Sequence, residues 1–225
     1  MKTALRQTAF RSVAAGLLIG LGGSVYLACR ADRYLAAVFF TVALLSICYL
    51  GAHLYTGRVG GLVAEHRGAD ILSLAVCLLG NLVGTGVCAA LAFASSRSLH
   101  DAARLLIEPK LQRPLWSVLA AAVLCGVLMY IAVTVYRTKN SPLGILFCVP
   151  VFILAGFEHS IADMFYVWLS GLLGWRSWLF LAVVVVGNSI GGCLLPLLFS
   201  LGETPKKPQT DANPHPKDDE NAPPA

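Results

Sequence analysis

Apolar residues come along this chain in blocks of roughly twenty, separated by short charged clusters. About twenty residues at 1.5 Å rise cross the ~30 Å hydrocarbon core of a bilayer as a helix. Six such blocks run over approximately 9–29, 34–56, 70–94, 115–136, 143–170 and 176–201. Runs such as Leu179-Phe180-Leu181-Ala182-Val183-Val184-Val185-Val186 lack the in/out alternation of a barrel strand. The pattern therefore predicts an all-α polytopic membrane protein. The longest connection, 95–114, carries Arg97, His100, Asp101, Arg104, Glu108, Lys110 and Arg113, and its middle, Leu99 to Ile107, reads as a short interfacial helix. From Glu203 onward the chain is rich in Pro, Lys, Asp and Asn. Residues 203–225 are thus expected to be a disordered polar tail, and 1–202 the membrane domain.

Composition agrees. Of 225 residues 57% are hydrophobic and 13% charged, where soluble domains run near a quarter charged; the mean hydropathy is +0.72. The net charge of +5 is spread over loop ends, where it meets water and lipid headgroups rather than nucleic acid. Seven cysteines stand alone, with no Cys-x-x-Cys pair, and read as small apolar residues. Lys2, Arg6 and Arg11 precede the first block as they would a secretory signal, and Leu27-Ala28-Cys29 hints at a lipoprotein site. Tyr26 stands where that site wants an aliphatic residue and more spans follow, so the first helix is expected to stay uncleaved. The basic N-terminal segment places both termini on the cytoplasmic side of an inner or plasma membrane.

The chain also echoes itself. Gly80-Asn81-Leu82-Val83-Gly84 in the third block returns as Gly187-Asn188-Ser189-Ile190-Gly191 in the sixth, and Gly51-Ala52-His53 in the second as Gly156-Phe157-Glu158 in the fifth. Matching elements are three spans apart, so the halves run in opposite directions: a 3+3 inverted repeat. Each GNxxG puts two glycines on one helix face, where another helix can approach closely.

Blocks two and five are the unusual ones. Glu158, His159 and Asp163 lie inside a span, where an ionisable group needs a cavity or a partner. The glycines beside them predict broken helices, with non-helical backbone lining a buried path. Glu158 is placed to accept from backbone N–H groups freed at the break, and Asp163 to cap the half-helix that follows. Asn81 and Asn188 are expected to hold the breaks by hydrogen bonds, with His53 as a further polar support.

Gly156-Phe157-Glu158-His159-Ser160-Ile161-Ala162-Asp163-Met164 resembles the formate/nitrite transporter signature G-[FY]-E-H-S-[IV]-A-N-M. Gly51-Ala52-His53-Leu54-Tyr55-Thr56-Gly57 is similar to the family's G-[AS]-E-L-F-T-[GS] loop, and Asn81 and Asn188 match its third- and sixth-helix asparagines. Lys110 stands at the spacing of the family's lysine ahead of the fourth helix, fifteen residues before Cys125 of what resembles its C-N-W motif. The resemblance implies an aquaporin-like protomer, a homopentamer with one pore in each subunit, and transport of small monovalent weak-acid anions together with protons. Formate and nitrite come first; hydrosulfide, acetate and lactate are the alternatives. By position, Phe40 and Leu44 would form one apolar constriction and Leu54 and Phe152 the other, with Tyr55 beside them. Thr56 would bond a central His159, and Lys110 would draw anions to the mouth. Three residues depart from the pattern: His53 replaces a Glu, Asp163 an Asn, and Gly126 the Asn of C-N-W.

The physics of a weak acid suits such a pore, since a bare anion is blocked by an apolar ring while its neutral form crosses cheaply. His159, with an ordinary pKa near 6.5, is the natural proton or hydrogen-bond donor between the constrictions and is expected to carry the pH dependence. An embedded enzyme or metal site is disfavoured, because no HExxH or second His at ligand spacing accompanies the group; no cofactor is expected.

Overall fold

The computed structural model describes residues 2–65 and 68–202; the tail expected over 203–225 lies outside the described residues. Among these, every regular element is a helix: α1 (Lys2–Ala28), α2 (Arg33–Tyr49), a 3₁₀ turn (Val59–Gly61), α3 (Leu62–Glu65), α4 (Gly68–Ser95), α5 (Arg97–Lys110), α6 (Leu115–Lys139), α7 (Leu143–Leu154), α8 (Ser160–Ser170) and α9 (Trp175–Gly202). Helices α1, α4, α6 and α9 each contain a stretch long and apolar enough to cross a bilayer, while α2 and α7 are shorter apolar helices. The chain is a multi-pass membrane protein. Large apolar side chains such as Leu79, Leu91, Trp116 and Phe147 stand exposed on its outside, as a lipid-facing surface requires.

Local chemistry sets the ends. Asp32 caps α2 by accepting from Tyr34 N and Leu35 N, both at 3.0 Å. Arg137 and Lys139 sit in the last turn of α6, which stops at Asn140 in the left-handed region (φ 49°).

Helices α2 and α7 end in the same way. Gly51 (φ +64°) and Gly156 (φ +71°) adopt the left-handed conformation that glycine tolerates best. Ala52 N then donates to Ile47 O and Phe157 N to Phe152 O, both at 2.9 Å. These are paired Schellman closures. Beyond each lies non-helical backbone that runs into the buried interior, where its polar groups need partners within the protein. One asparagine satisfies each stretch. Asn81 on α4 accepts from Tyr55 N (2.9 Å) and donates to His53 O (2.9 Å) and Ser12 O of α1 (2.8 Å). Asn188 on α9 accepts from Ser160 N (2.8 Å) and donates to Glu158 O (2.9 Å) and Ala122 O of α6 (2.8 Å). Both asparagines are fully buried.

These clamps need close helix contact. Helix α1 packs most extensively on α4, and α6 on α9. A Cβ at Gly16 of α1 would overlap the Asn81 carbonyl, and one at Gly126 of α6 the Asn188 carbonyl. The break after α7 delivers the chain into α8, which is buried along almost its whole length and wrapped by α1, α4, α5 and α9.

Asn188→Ala removes three buried hydrogen bonds and leaves Ser160 N–H and the Glu158 carbonyl without their partner, while Ala122 O keeps its place in the α6 ladder. Each orphaned group costs about 1–3 kcal/mol, so the purified protein should melt several degrees lower in detergent. An unchanged melting temperature would show that the break is held by other contacts.

Candidate functional site

The two breaks bring Thr56 and His159 together. His159 takes extended dihedrals (φ −109°, ψ 111°) and serves as the N-cap of α8, its Nδ1 accepting from Ala162 N at 3.2 Å. With Nδ1 accepting, the ring proton of the neutral imidazole sits on Nε2, which lies 3.0 Å from Thr56 Oγ1 and donates to it. Protonating Nδ1 would break the cap and set a positive charge at a helix N-terminus. The cap expected at Asp163 is therefore supplied by His159, because the side chain entering the helix lies nearer the free N–H groups than one three residues inside.

Apolar side chains surround this pair. The Phe152 ring stacks on His159, with centroids 5.6 Å apart, and meets the Phe40 ring edge-on at 6.1 Å. Phe40, Leu44, Leu54 and Phe152 are each at least 96% buried. The expected pairing of Phe40 with Leu44 and of Leu54 with Phe152 is not what the structure has. Phe40 joins Phe152, and Leu44 lies with Leu54 one helical turn further along α2. The reason is that α7 packs on α2 and sets Phe152 beside Phe40, while the non-helical chain that follows Gly51 brings Leu54 to the cavity that Leu44 lines.

A cavity of about 220 Å³ lies on the Phe40–Phe152 side, lined also by Lys110, Glu158, His159 and Asp163. A second, of about 270 Å³, lies on the other side, lined by Leu44, His53, Leu54, Val133 and Arg137. Tyr55 lines neither. Its hydroxyl is 2.8 Å from Ser189 Oγ of α9, where it braces the first break.

The first cavity is edged by a closed charge network. Lys110 Nζ donates to Glu158 Oε2 at 2.5 Å and to Asp163 Oδ1 at 2.8 Å, and Arg113 Nη1 to Glu158 Oε1 at 2.6 Å. Arg113 Nη2 also reaches Ser117 Oγ at 3.0 Å. Two cations face two carboxylates, so the group is neutral as a whole. Lys110 is no isolated charge at the mouth; it bridges two acids that are each 99% buried. The Glu158 carboxylate bonds these cations and not the freed backbone, whose N–H groups Asn188 and His159 already occupy.

The second cavity is different. His53 stands where the other half has Glu158, and its Nδ1 accepts from Arg58 Nη1 at 2.7 Å. Arg137 lines the same space, and Arg11 Nη1 reaches Gly51 O at 3.4 Å. Arg58 and Arg113 were not singled out from sequence. Arg113 had a signal: two carboxylates in one span call for two cations, and it follows Lys110 by one helical turn. Gly126 is explained by packing, since an asparagine there would drive its Cβ into the Asn188 backbone.

The family model described as formate/nitrite transporter matches residues 1–201. A solved structure titled as a pentameric formate channel with formate bound superposes with a TM-score of 0.80 at 20% identity, covering 89% of this chain and 98% of that one. An FNT family ion channel superposes with a TM-score of 0.76 at 23% identity, covering 91% of this chain and all of the other. No curated protein sequence matches significantly.

The network makes a prediction about stability. Lys110→Met leaves Asp163 unpaired beside Glu158, and breaking a buried ion pair from one side costs about 3–5 kcal/mol. In the Asp163→Asn background the same substitution should cost much less, because Glu158 keeps Arg113. Thermal melts of the two single mutants and the double mutant measure the coupling; strictly additive effects would contradict the network.

Proposed function

Because the chain belongs to the formate/nitrite transporter family, we propose that it passes small monovalent weak-acid anions, formate or nitrite foremost, as the neutral acid. The path runs between the two cavities, across an apolar septum centred on His159. The observation that carries this reading is the septum itself: Phe40, Leu44, Leu54 and Phe152 close around a single polar pair, Thr56 and His159. A bare anion loses its hydration there at a cost of many kcal/mol, whereas a neutral acid loses little. The His159 ring is fixed by its backbone cap, so its Nε2–H, which donates to Thr56 Oγ1 at rest, is a positioned donor that a passing carboxyl or nitrite oxygen shares. The Lys110–Arg113 cations hold the anion in the first cavity until a proton joins it.

The architecture in this reading is six spans in two inverted halves, with the second and fifth spans broken. The matching Schellman closures, asparagine clamps and glycine contacts of the two halves support it. A homopentamer with one pore per protomer is the assembly proposed; one similar structure is a pentameric formate channel, and the exposed apolar belt would be shared between lipid and neighbouring subunits. The basic residues Lys2, Arg6 and Arg11 in the N-terminal part of α1 support cytoplasmic termini in an inner membrane.

Proteoliposomes given an inward formate or nitrite gradient test the function. Far above the acid's pKa each unit of external acidification raises the neutral fraction about tenfold, so uptake should climb steeply as external pH falls. His159→Asn removes the fixed ring donor and should lower maximal flux by roughly tenfold, about the net value of one hydrogen bond, with oligomer size unchanged. Wild-type flux in a well-assembled mutant would remove His159 from the path, and no flux of any weak acid at any pH would sink the channel reading.

A further inference from the structure

We propose that Asp163 is the proton-binding group of the first cavity, taking up one proton as the anion enters so that the charge of the cavity stays constant. This rests on the weak-acid reading above and adds the place where the proton is held.

The two carboxylates share the cations unequally. Both oxygens of Glu158 meet a cation, Oε2 at Lys110 and Oε1 at Arg113. Asp163 shares only Lys110, through Oδ1, and its Oδ2 is buried with no hydrogen-bond partner among the described residues. An ionised carboxylate with one dry, unbonded oxygen is poorly stabilised, and a proton on Oδ2 removes that burden while Oδ1 still accepts from Lys110. The N-terminus of α8 favours the ionised form, but a helix end acts weakly beside the lost hydration of a buried charge.

The surroundings offer no better proton site. From α5, Lys110 faces Asp163, His100 bonds Leu169 O at 2.7 Å, and Asp101, Arg104 and Glu108 are exposed. The chain leading into α6 brings Arg113, and α6 itself the buried Cys125. Tyr26 of α1 and Tyr166 of α8 line the same cavity. The only charged residue of α4 with a described side chain, Asp70, lies at a different pocket beside Arg58, and Arg176 of α9 donates to Gln112. His159 has its Nδ1 committed to Ala162 N. An anion arriving at Lys110 would place three negative charges on two positive ones; protonating Asp163 restores two against two. Binding of anion and proton are then linked, and linkage is reciprocal. The Asp163→Asn change is well suited to the test because it installs the residue of the family signature and mimics the protonated acid.

The experiment adds formate to the purified full-length protein in weakly buffered detergent and counts protons taken up. Wild type should take up about one proton per formate bound, and its half-saturation should weaken by up to about tenfold per pH unit on the alkaline side, as one linked proton requires. Asp163→Asn should take up none and bind with a half-saturation independent of pH. Equal proton uptake in both proteins overturns the proposal. Infrared spectroscopy of the wild type, with aspartate carbon labelled, gives a reading that needs neither the mutant nor transport. A protonated-carboxyl band that is absent from Asp163→Asn, or that strengthens when formate is added to the wild type, supports the assignment; no such band at any pH where the protein is intact overturns it. If wild type carries no weak acid into vesicles while the band is present, the channel reading fails and the proton site stands.

Discussion

Backbone at membrane depth must find its own hydrogen-bond partners, and the rest of this structure depends on how two asparagines meet that demand. Two stretches of extended chain follow α2 and α7, each opened by a left-handed glycine. Each runs from an exposed glycine into buried positions, where an unpaired peptide group costs several kcal/mol. Asn81 and Asn188 have one acceptor and two donor hydrogens apiece, and each uses all three, two on the break and one on a neighbouring helix. The asparagine thus ties the irregular segment to a rigid helix pair. That fixes where His159 and Thr56 sit, and with them the septum. Glycines at 16 and 126 are part of the same solution, because the clamp works only where two helix backbones nearly touch.

Charge is handled as economically as the backbone. Two carboxylates inside the fifth apolar block would be prohibitive alone, and Lys110 and Arg113 enter from α5 and its following turn to match them. A neutral network can line a cavity without trapping an anion too tightly to release it. On the opposite side His53 and Arg58 take the place of an acid–lysine pair, so the two ends of the path are chemically unlike even though their backbones correspond. In the proposed pore an anion meets a balanced, buried network on one side and a more exposed basic surface on the other.

Much of this was legible in the chain. Block lengths gave most helix ends closely, although α1 begins and α2 ends seven residues before its block does, and the repeated GNxxG pointed to the two clamps because the same glycine–asparagine pattern recurs beside each break. The side-chain partnerships were not legible. Lys110 and Glu158 are forty-eight positions apart and Arg113 and Glu158 forty-five, and nothing local says that a loop cation turns inward to a break. Asp163 reads as a cap because acids favour the first turn of a helix, yet His159 stands four residues earlier, at the open N–H groups, and takes that role. The pairing of Phe40 with Phe152 depends on how α2 packs against α7, which no periodicity along either helix encodes.

The central claim is that the species crossing the septum is the neutral acid, so transport moves no net charge. The direct measurement is formate flux and membrane current recorded together across a bilayer holding the reconstituted protein, at several external pH values. The account predicts substantial flux with current far below one charge per formate, and flux growing as the pH falls. A current that matches the formate flux charge for charge would contradict it, because it would mean that the apolar ring passes the bare anion.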